Sequence, residues 1–99
     1  MNEQTRMITK TIWKYSLPAP GVQLLSMPKG AIPLTVQMQA RMPTLWVICD
    51  PAQACVQREM AVVGTGWPAP DIGRGVTYCG TVQAPDSLVW HFFLKDEDA

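Results

Sequence analysis

The chain has 99 residues, of which 47% are hydrophobic and 16% are charged, and its eight basic and eight acidic residues cancel. This length predicts a single domain, residues 1–99, with one hydrophobic core. Proteins that coat long nucleic acids normally carry a basic excess, so this composition argues against that class. The apolar runs are far too short to span a membrane, and the amino-terminal residues lack the apolar segment of a signal peptide.

The three cysteines, at positions 49, 55 and 79, form no Cys-x-x-Cys pair, and the chain has a single histidine, His91. This pattern does not match the ligand spacing of a zinc site. An odd number of cysteines in a chain without a signal peptide is typical of reduced thiols in a cytoplasm. The sequence therefore predicts no metal site, no cofactor and a cytoplasmic location.

The first predicted element is a strand over residues 9–17. Its alternating pattern places Trp13 and Tyr15 on a buried face. A proline- and glycine-rich turn ends this strand, and residues 22–27 predict a second, shorter one. The polar residues 1–7 before the first strand predict a flexible tail.

The predicted centre of the fold is a hairpin over residues 31–50. Residues 32–39 alternate between apolar and polar side chains, as in a strand with one buried face. Residues 45–49 are apolar on both faces, as in a central strand that is covered on both sides. We therefore expect Trp46 to lie in the core of the domain.

The carboxyl-terminal half predicts three further strands. Residues 55–63 predict the first of them, although a helix over residues 53–63 remains an alternative. Residues 76–82 and 88–94 alternate more regularly between apolar and polar side chains. The acidic residues 95–99 predict a second flexible tail.

About seven short strands separated by turn signals predict an all-β fold, either a compact antiparallel β-sandwich or a small open barrel. The low charge, four tryptophans and six methionines also predict a homo-oligomer that buries apolar surface between subunits. The apolar side chains opposite the best-buried faces are the candidate subunit contacts: Ile8, Ile12, Ile48, Val89 and Phe93.

The longest irregular segment, residues 64–75, is rich in glycine and is the first candidate binding site. Its backbone amides, at Thr65 and Gly66 for example, can bind an anion. Arg74 can supply a positive charge to the same anion, and Trp67 offers a stacking surface. The segment matches neither a P-loop nor a dinucleotide-binding motif. A simple connector, whose glycines form turns and whose tryptophan caps the core, is the competing interpretation.

The first strand is the second candidate binding site. Lys10 and Lys14 project from one of its faces, and Trp13 and Tyr15 project from the other. A basic strip beside aromatic rings can bind a phosphate-bearing base, whereas lysines that protect an exposed sheet edge are the alternative. Arg58 interrupts an apolar strand just before the glycine-rich loop, so we expect its charge to join the two candidate stretches.

No residues form a pattern typical of catalysis. His91 has no recognisable nucleophile motif such as Gly-x-Ser-x-Gly, and no two carboxylates are arranged for acid–base chemistry. We expect this histidine to be partly buried and satisfied by one hydrogen bond. The sequence therefore predicts no catalytic residues and a protein that is not an enzyme.

Several segments in order resemble a family of small bacteriophage-encoded proteins that carry a domain of unknown function. They are IWKY at residues 12–15, GAIPLTVQ at 30–37, LWVICDP at 45–51, GTG at 64–66 and HFF at 91–93. The resemblance covers nearly the whole chain. It implies a phage or prophage source and action in the cytoplasm of a bacterial host, and it implies no reaction.

The residues and the resemblance together predict a non-enzymatic phage accessory protein that acts by binding. Its most specific form is a counter-defence protein, which either sequesters a nucleotide-like bacterial signal or blocks a host defence protein. A small structural or assembly protein of a phage particle is the alternative. The nucleotide form requires positive charge, backbone donors and an aromatic ring to meet in one site.

Overall fold

The structure, a computed structural model, describes residues 9–18, 20–85 and 87–97. All regular secondary structure in these residues is β-strand, so no helix in them could cross a membrane. The seven strands are β1 (Thr11–Ser16), β2 (Gly21–Pro28), β3 (Ile32–Gln39), β4 (Met42–Cys49), β5 (Cys55–Gly64), β6 (Val76–Gln83) and β7 (Val89–Lys95).

The strands form two antiparallel sheets. The three-stranded sheet has the order β1-β4-β3, and the four-stranded sheet has the order β2-β5-β7-β6. The predicted all-β sandwich is confirmed, and the strands do not close into a barrel. Residues 55–64 form strand β5, so the helix considered for residues 53–63 is wrong.

The core lies between the two sheets and is filled by alternate residues along each strand. Leu45 and Val47 of the central strand β4 are fully buried, as are Met60 of β5 and Phe92 and Leu94 of β7. Burial of apolar area, worth about 25 cal/mol per Å², is the main stabilising term of such a core. Because each sheet buries only one of its faces, apolar and polar residues alternate along its strands.

The two sheets also contact one another along their edges. A Cβ atom added at Gly80 of β6 would lie 3.2 Å from the Cβ, N and O atoms of Val36 in β3. Glycine is therefore required there for the close approach of two backbones. At the opposite edges, the Tyr15 hydroxyl of β1 donates to the Ser26 carbonyl oxygen of β2 over 2.8 Å. These contacts fix the relative position of the sheets.

Trp46 does not lie in the core, and that prediction is wrong. Leu45 and Val47 point inward from β4, so Trp46 and Ile48 point outward, where both are only half-buried. No described element covers this outer face of the three-stranded sheet. An apolar pattern on both faces of a strand does not reveal whether the second face is covered by the same chain.

The residues after β7 are bonded to the rest of the fold as far as they are described. The Asp96 amide donates to the Gly75 carbonyl oxygen over 2.8 Å. The Glu97 carboxylate accepts a hydrogen bond from the Gly30 amide over 2.5 Å. These two residues belong to the segment 95–99 for which the sequence predicts a flexible tail. Residues 1–7 and 98–99 lie outside the described residues.

Candidate binding site

The glycine-rich loop begins with a tight turn that fixes Trp67. The Trp67 amide donates to the Gly64 carbonyl oxygen over 3.1 Å, and Gly66 has a φ of 90° that glycine adopts without strain. The turn lays the indole ring against Gly64, where an added Cβ would lie 3.1 Å from the ring atoms Cε2 and Nε1. Gly64 thus makes room for the ring.

A cavity of about 330 Å³ opens beside this turn. The rings of Trp67 and Trp90 meet edge to face, with centroids 5.5 Å apart and an interplanar angle of 84°. Trp67 is 50% exposed, whereas Trp90 is only 9% exposed. The cavity therefore has a buried aromatic floor and a half-exposed aromatic wall. Its full lining is Gly64, Thr65, Trp67, Ser87, Leu88, Val89 and Trp90.

A chain of hydrogen bonds runs from the rim of the cavity across the four-stranded sheet. The Nε2 atom of His91 lies 2.7 Å from the Thr65 hydroxyl, and its Nδ1 atom lies 3.0 Å from the Thr81 hydroxyl. The Thr81 hydroxyl in turn lies 2.5 Å from the Tyr78 hydroxyl. We call these four side chains the polar strip. His91 makes two hydrogen bonds rather than the one expected from the sequence.

Arg58 lies in the interior and does not face this site. Its side chain points between the sheets from β5, and the residue is only 7% exposed. Its Nε donates to the Lys95 carbonyl oxygen over 3.0 Å, and its Nη1 donates to the Ala31 carbonyl oxygen over 2.8 Å. The Glu97 carboxylate lies 3.9 Å from the same Nη1. Arg58 therefore does not join the two candidate stretches.

Arg74 lies at the far end of the loop from Trp67. The loop leads from Gly64, which pairs with Trp90, to Val76, which pairs with Lys95. These positions are about 17 Å apart along β7, at about 3.4 Å per residue. The Arg74 side chain is 82% exposed, and its Nε lies 3.9 Å from the Asp71 carboxylate. The structure thus places Arg74 outside the cavity.

The first strand belongs to the other sheet. Trp13 and Tyr15 point inward from β1 and pack against the core. The Lys14 ammonium donates to the Gln39 side chain over 2.9 Å and thereby spans the central strand β4 on the outer face. Lys10 is exposed just before β1. The structure therefore does not bring the predicted basic strip, its aromatic rings and the glycine-rich loop into one site.

Possible metal ligands and buried thiols are the other groups that could carry chemistry. No three His, Cys, Asp or Glu side chains among them are grouped so that they could hold a metal ion. Burial raises the pKa of the Cys79 thiol to about 11, and it also raises the pKa of the Cys49 thiol. Both thiols therefore stay protonated at neutral pH, and a protonated thiol is a poor nucleophile.

Comparison with known proteins gives one match. A protein family described as a domain of unknown function (DUF7352) matches residues 8–99. No curated protein and no solved structure matches the chain.

Proposed function

Because the chain belongs to the family of the domain of unknown function DUF7352, whose description states no activity, we propose a function from the geometry of the site. The protein is a binding protein that accepts an apolar or aromatic side chain of a protein partner in the cavity beside Trp67. The observation that carries this proposal is the pair of tryptophan rings that floor and wall the cavity.

The size and lining of the cavity favour a protein side chain. A volume of about 330 Å³ is at the small end of ligand sites, and it suits one side chain or one ring. Tryptophan is among the residues that contribute most to protein–protein affinity, particularly where it forms part of a desolvated pocket. The half-exposed Trp67 can contact a partner directly, while the buried Trp90 supports the inserted group from below.

The distribution of charge argues against the nucleotide form of the hypothesis. No lysine or arginine is among the described residues that line the cavity. Arg58 donates to carbonyl groups in the interior, and Arg74 lies at the other end of the loop. A phosphate group bound beside Trp67 would therefore lack the cationic partner that usually stabilises it. The polar side chains that line the cavity, Thr65 and Ser87, are uncharged.

The resemblance to phage-encoded proteins supplies the biological setting of this proposal. In that setting the protein works in the cytoplasm of a bacterial host as a non-enzymatic counter-defence protein. Blocking a host defence protein requires a surface that recognises protein side chains, which the cavity supports. Sequestering a signalling nucleotide requires a phosphate site, for which the described residues give no support.

A structural or assembly protein of a phage particle is the second candidate. The observation that favours it is the exposed apolar outer face of the three-stranded sheet, which carries Ile12 at 55% and Ile32 at 54% exposure. Assembly proteins need such faces for repeated contacts between subunits. This candidate and the first one use different surfaces, so they can be tested separately.

Titration of the ¹⁵N-labelled protein with N-acetyltryptophanamide tests the first candidate. We expect saturable shifts of the amide signals of Gly64, Thr65 and Trp90, because the indole enters the cavity that the two tryptophan rings line. Trp67→Ala should weaken this binding by about tenfold or more, since it removes one wall. Ile72→Ala is the matched control, because Ile72 is an exposed apolar residue of the same loop that does not line the cavity.

Titration with adenosine monophosphate distinguishes the two forms of the hypothesis. The proposal predicts no saturable shift of the cavity amides with this ligand. If the nucleotide bound more tightly than N-acetyltryptophanamide and shifted the same amide signals, the result would support the hypothesis that the protein sequesters a nucleotide. Absence of any cavity response to N-acetyltryptophanamide would overturn the proposal.

A further inference from the structure

The polar strip reaches the Trp67 cavity at one residue, Thr65, which lines the cavity and is exposed at its rim. The Thr65 hydroxyl lies 2.7 Å from the Nε2 atom of His91 in strand β7. The Nδ1 atom of the same ring lies 3.0 Å from the Thr81 hydroxyl. Because both nitrogens of the imidazole are bonded, the ring is held in one orientation and in turn orients the Thr65 hydroxyl.

The Thr65 hydroxyl offers a ligand a hydrogen-bond acceptor whichever nitrogen of His91 carries the proton. A hydroxyl group has one hydrogen to donate and two lone pairs that accept. If Nε2 is unprotonated, Thr65 donates its hydrogen to it and both lone pairs remain. If Nε2 carries a hydrogen, one lone pair accepts it and the other remains. The group that fits beside Thr65 is therefore a hydrogen-bond donor of the ligand.

The depth of the cavity determines which aromatic side chain brings a donor to this place. Thr65 lies at the rim, whereas the largely buried Trp90 forms the floor. A tyrosine that entered ring-first would carry its hydroxyl at the tip, toward the Trp90 ring, and phenylalanine has no donor at all. The indole of tryptophan carries its N–H on the five-membered ring, close to the backbone attachment. An inserted indole therefore keeps its donor near the rim.

We propose that the cavity selects a tryptophan side chain of the protein partner, and that the indole N–H donates to the Thr65 hydroxyl. This inference rests on the proposed function, because it names the side chain that the cavity accepts. The six-membered ring of the indole packs against the rings of Trp67 and Trp90. A buried indole N–H needs an acceptor, and the pre-oriented hydroxyl supplies it without a charge.

Two ligands that differ only at the indole nitrogen test this hydrogen bond. They are N-acetyltryptophanamide and its N1-methyl derivative, which has no N–H to donate. Each is titrated into the ¹⁵N-labelled wild type, and the amide signals of Gly64 and Trp90 report binding. The wild type should bind N-acetyltryptophanamide about two- to tenfold more tightly than the methylated ligand, the ratio expected for one neutral hydrogen bond.

Substitutions at Thr65 separate the hydrogen bond from the size of the added methyl group. Thr65→Val replaces the hydroxyl by a methyl group of similar size, so this variant should bind the two ligands with equal affinity. Thr65→Ser keeps the hydroxyl and should keep the preference of the wild type. Ser87→Ala is the matched control, because it removes a hydroxyl that also lines the cavity but is not bonded to His91. It should leave the preference unchanged.

The outcomes distinguish this inference from the proposed function. Binding of both ligands with equal affinity to the wild type would overturn the role of Thr65 and leave the proposed function standing, and this comparison needs no variant to fold. A preference that survives Thr65→Val, or that Ser87→Ala abolishes, would also overturn it. Absence of binding by both ligands would overturn the proposed function itself.

Discussion

Arg58 stabilises the fold because its buried guanidinium contacts two segments that are far apart in the sequence. It reaches the Ala31 carbonyl group before β3, the Lys95 carbonyl group at the end of β7, and the Glu97 carboxylate. We expect Arg58→Ala to lower the free energy of unfolding by about 3 kcal/mol, because buried acceptors lose their donor and a carboxylate loses its partner. Urea denaturation followed by circular dichroism measures this loss.

Arg74→Ala is the control for that experiment. The Arg74 side chain is 82% exposed and its ion pair with Asp71 is long, so the substitution should change the free energy of unfolding by less than about 0.5 kcal/mol. Equal, small effects of the two substitutions would show that the contacts of Arg58 contribute little. Because both substitutions replace arginine by alanine, the difference between them measures the contribution of the buried contacts of Arg58.

The titration of buried side chains should make the protein less stable in alkaline solution. Burial raises the pKa of the Cys79 thiol from 9.0 to about 11, and burial likewise raises the pKa of the Tyr15 hydroxyl above 10.0. Above pH 9 the unfolded chain therefore releases protons that the folded chain retains. The folded state then binds more protons, so the free energy of unfolding falls as the pH rises from about 9 toward 11.

Urea denaturation midpoints measured between neutral pH and pH 11 test this dependence. Cys79→Ala removes the thiol and should make the decline shallower, while the contribution of Tyr15 remains. Midpoints that stay constant from pH 9 to pH 11 would contradict the raised pKa values.

The strands themselves were the most predictable elements. Alternation made β3, β6 and β7 visible as strands in the sequence. It did not show which side chains are buried, because shifts of register within β3 and β6 leave Ile32, Leu34 and Tyr78 exposed. The prediction that Trp46 lies in the core was wrong because the apolar side chains on the outer face of β4 belong to an uncovered surface. The prediction for Arg58 failed because a charged side chain in an apolar strand was interpreted as a ligand-binding group, whereas carbonyl groups from distant segments accept its hydrogen bonds.

The connection between the edge strands β1 and β2 depends on one tyrosine hydroxyl. Tyr15→Phe removes its hydrogen bond to the Ser26 carbonyl oxygen and should lower the free energy of unfolding by about 1 kcal/mol. Hydrogen exchange of the β1 amides should speed up in the same variant, because the strand loses its attachment to the other sheet.

Tyr78→Phe provides a matched control for the Tyr15 substitution. The Tyr78 hydroxyl bonds to Thr81 within its own strand, so its loss should leave exchange in β1 unchanged. Faster exchange in β1 in both variants would indicate a general loss of stability rather than a broken connection between the sheets.

At the level of the whole molecule, the candidate site depends on contacts that lie far apart in the sequence. Thr65 and Trp67 were found from the glycine-rich loop, but Ser87, Val89 and Trp90 join them only because β5 pairs with β7. Strand order is not encoded in local patterns, so the cavity could not be assembled from the sequence. Trp90 is a buried aromatic residue of a regular strand, and no local signal distinguishes it from any other core residue.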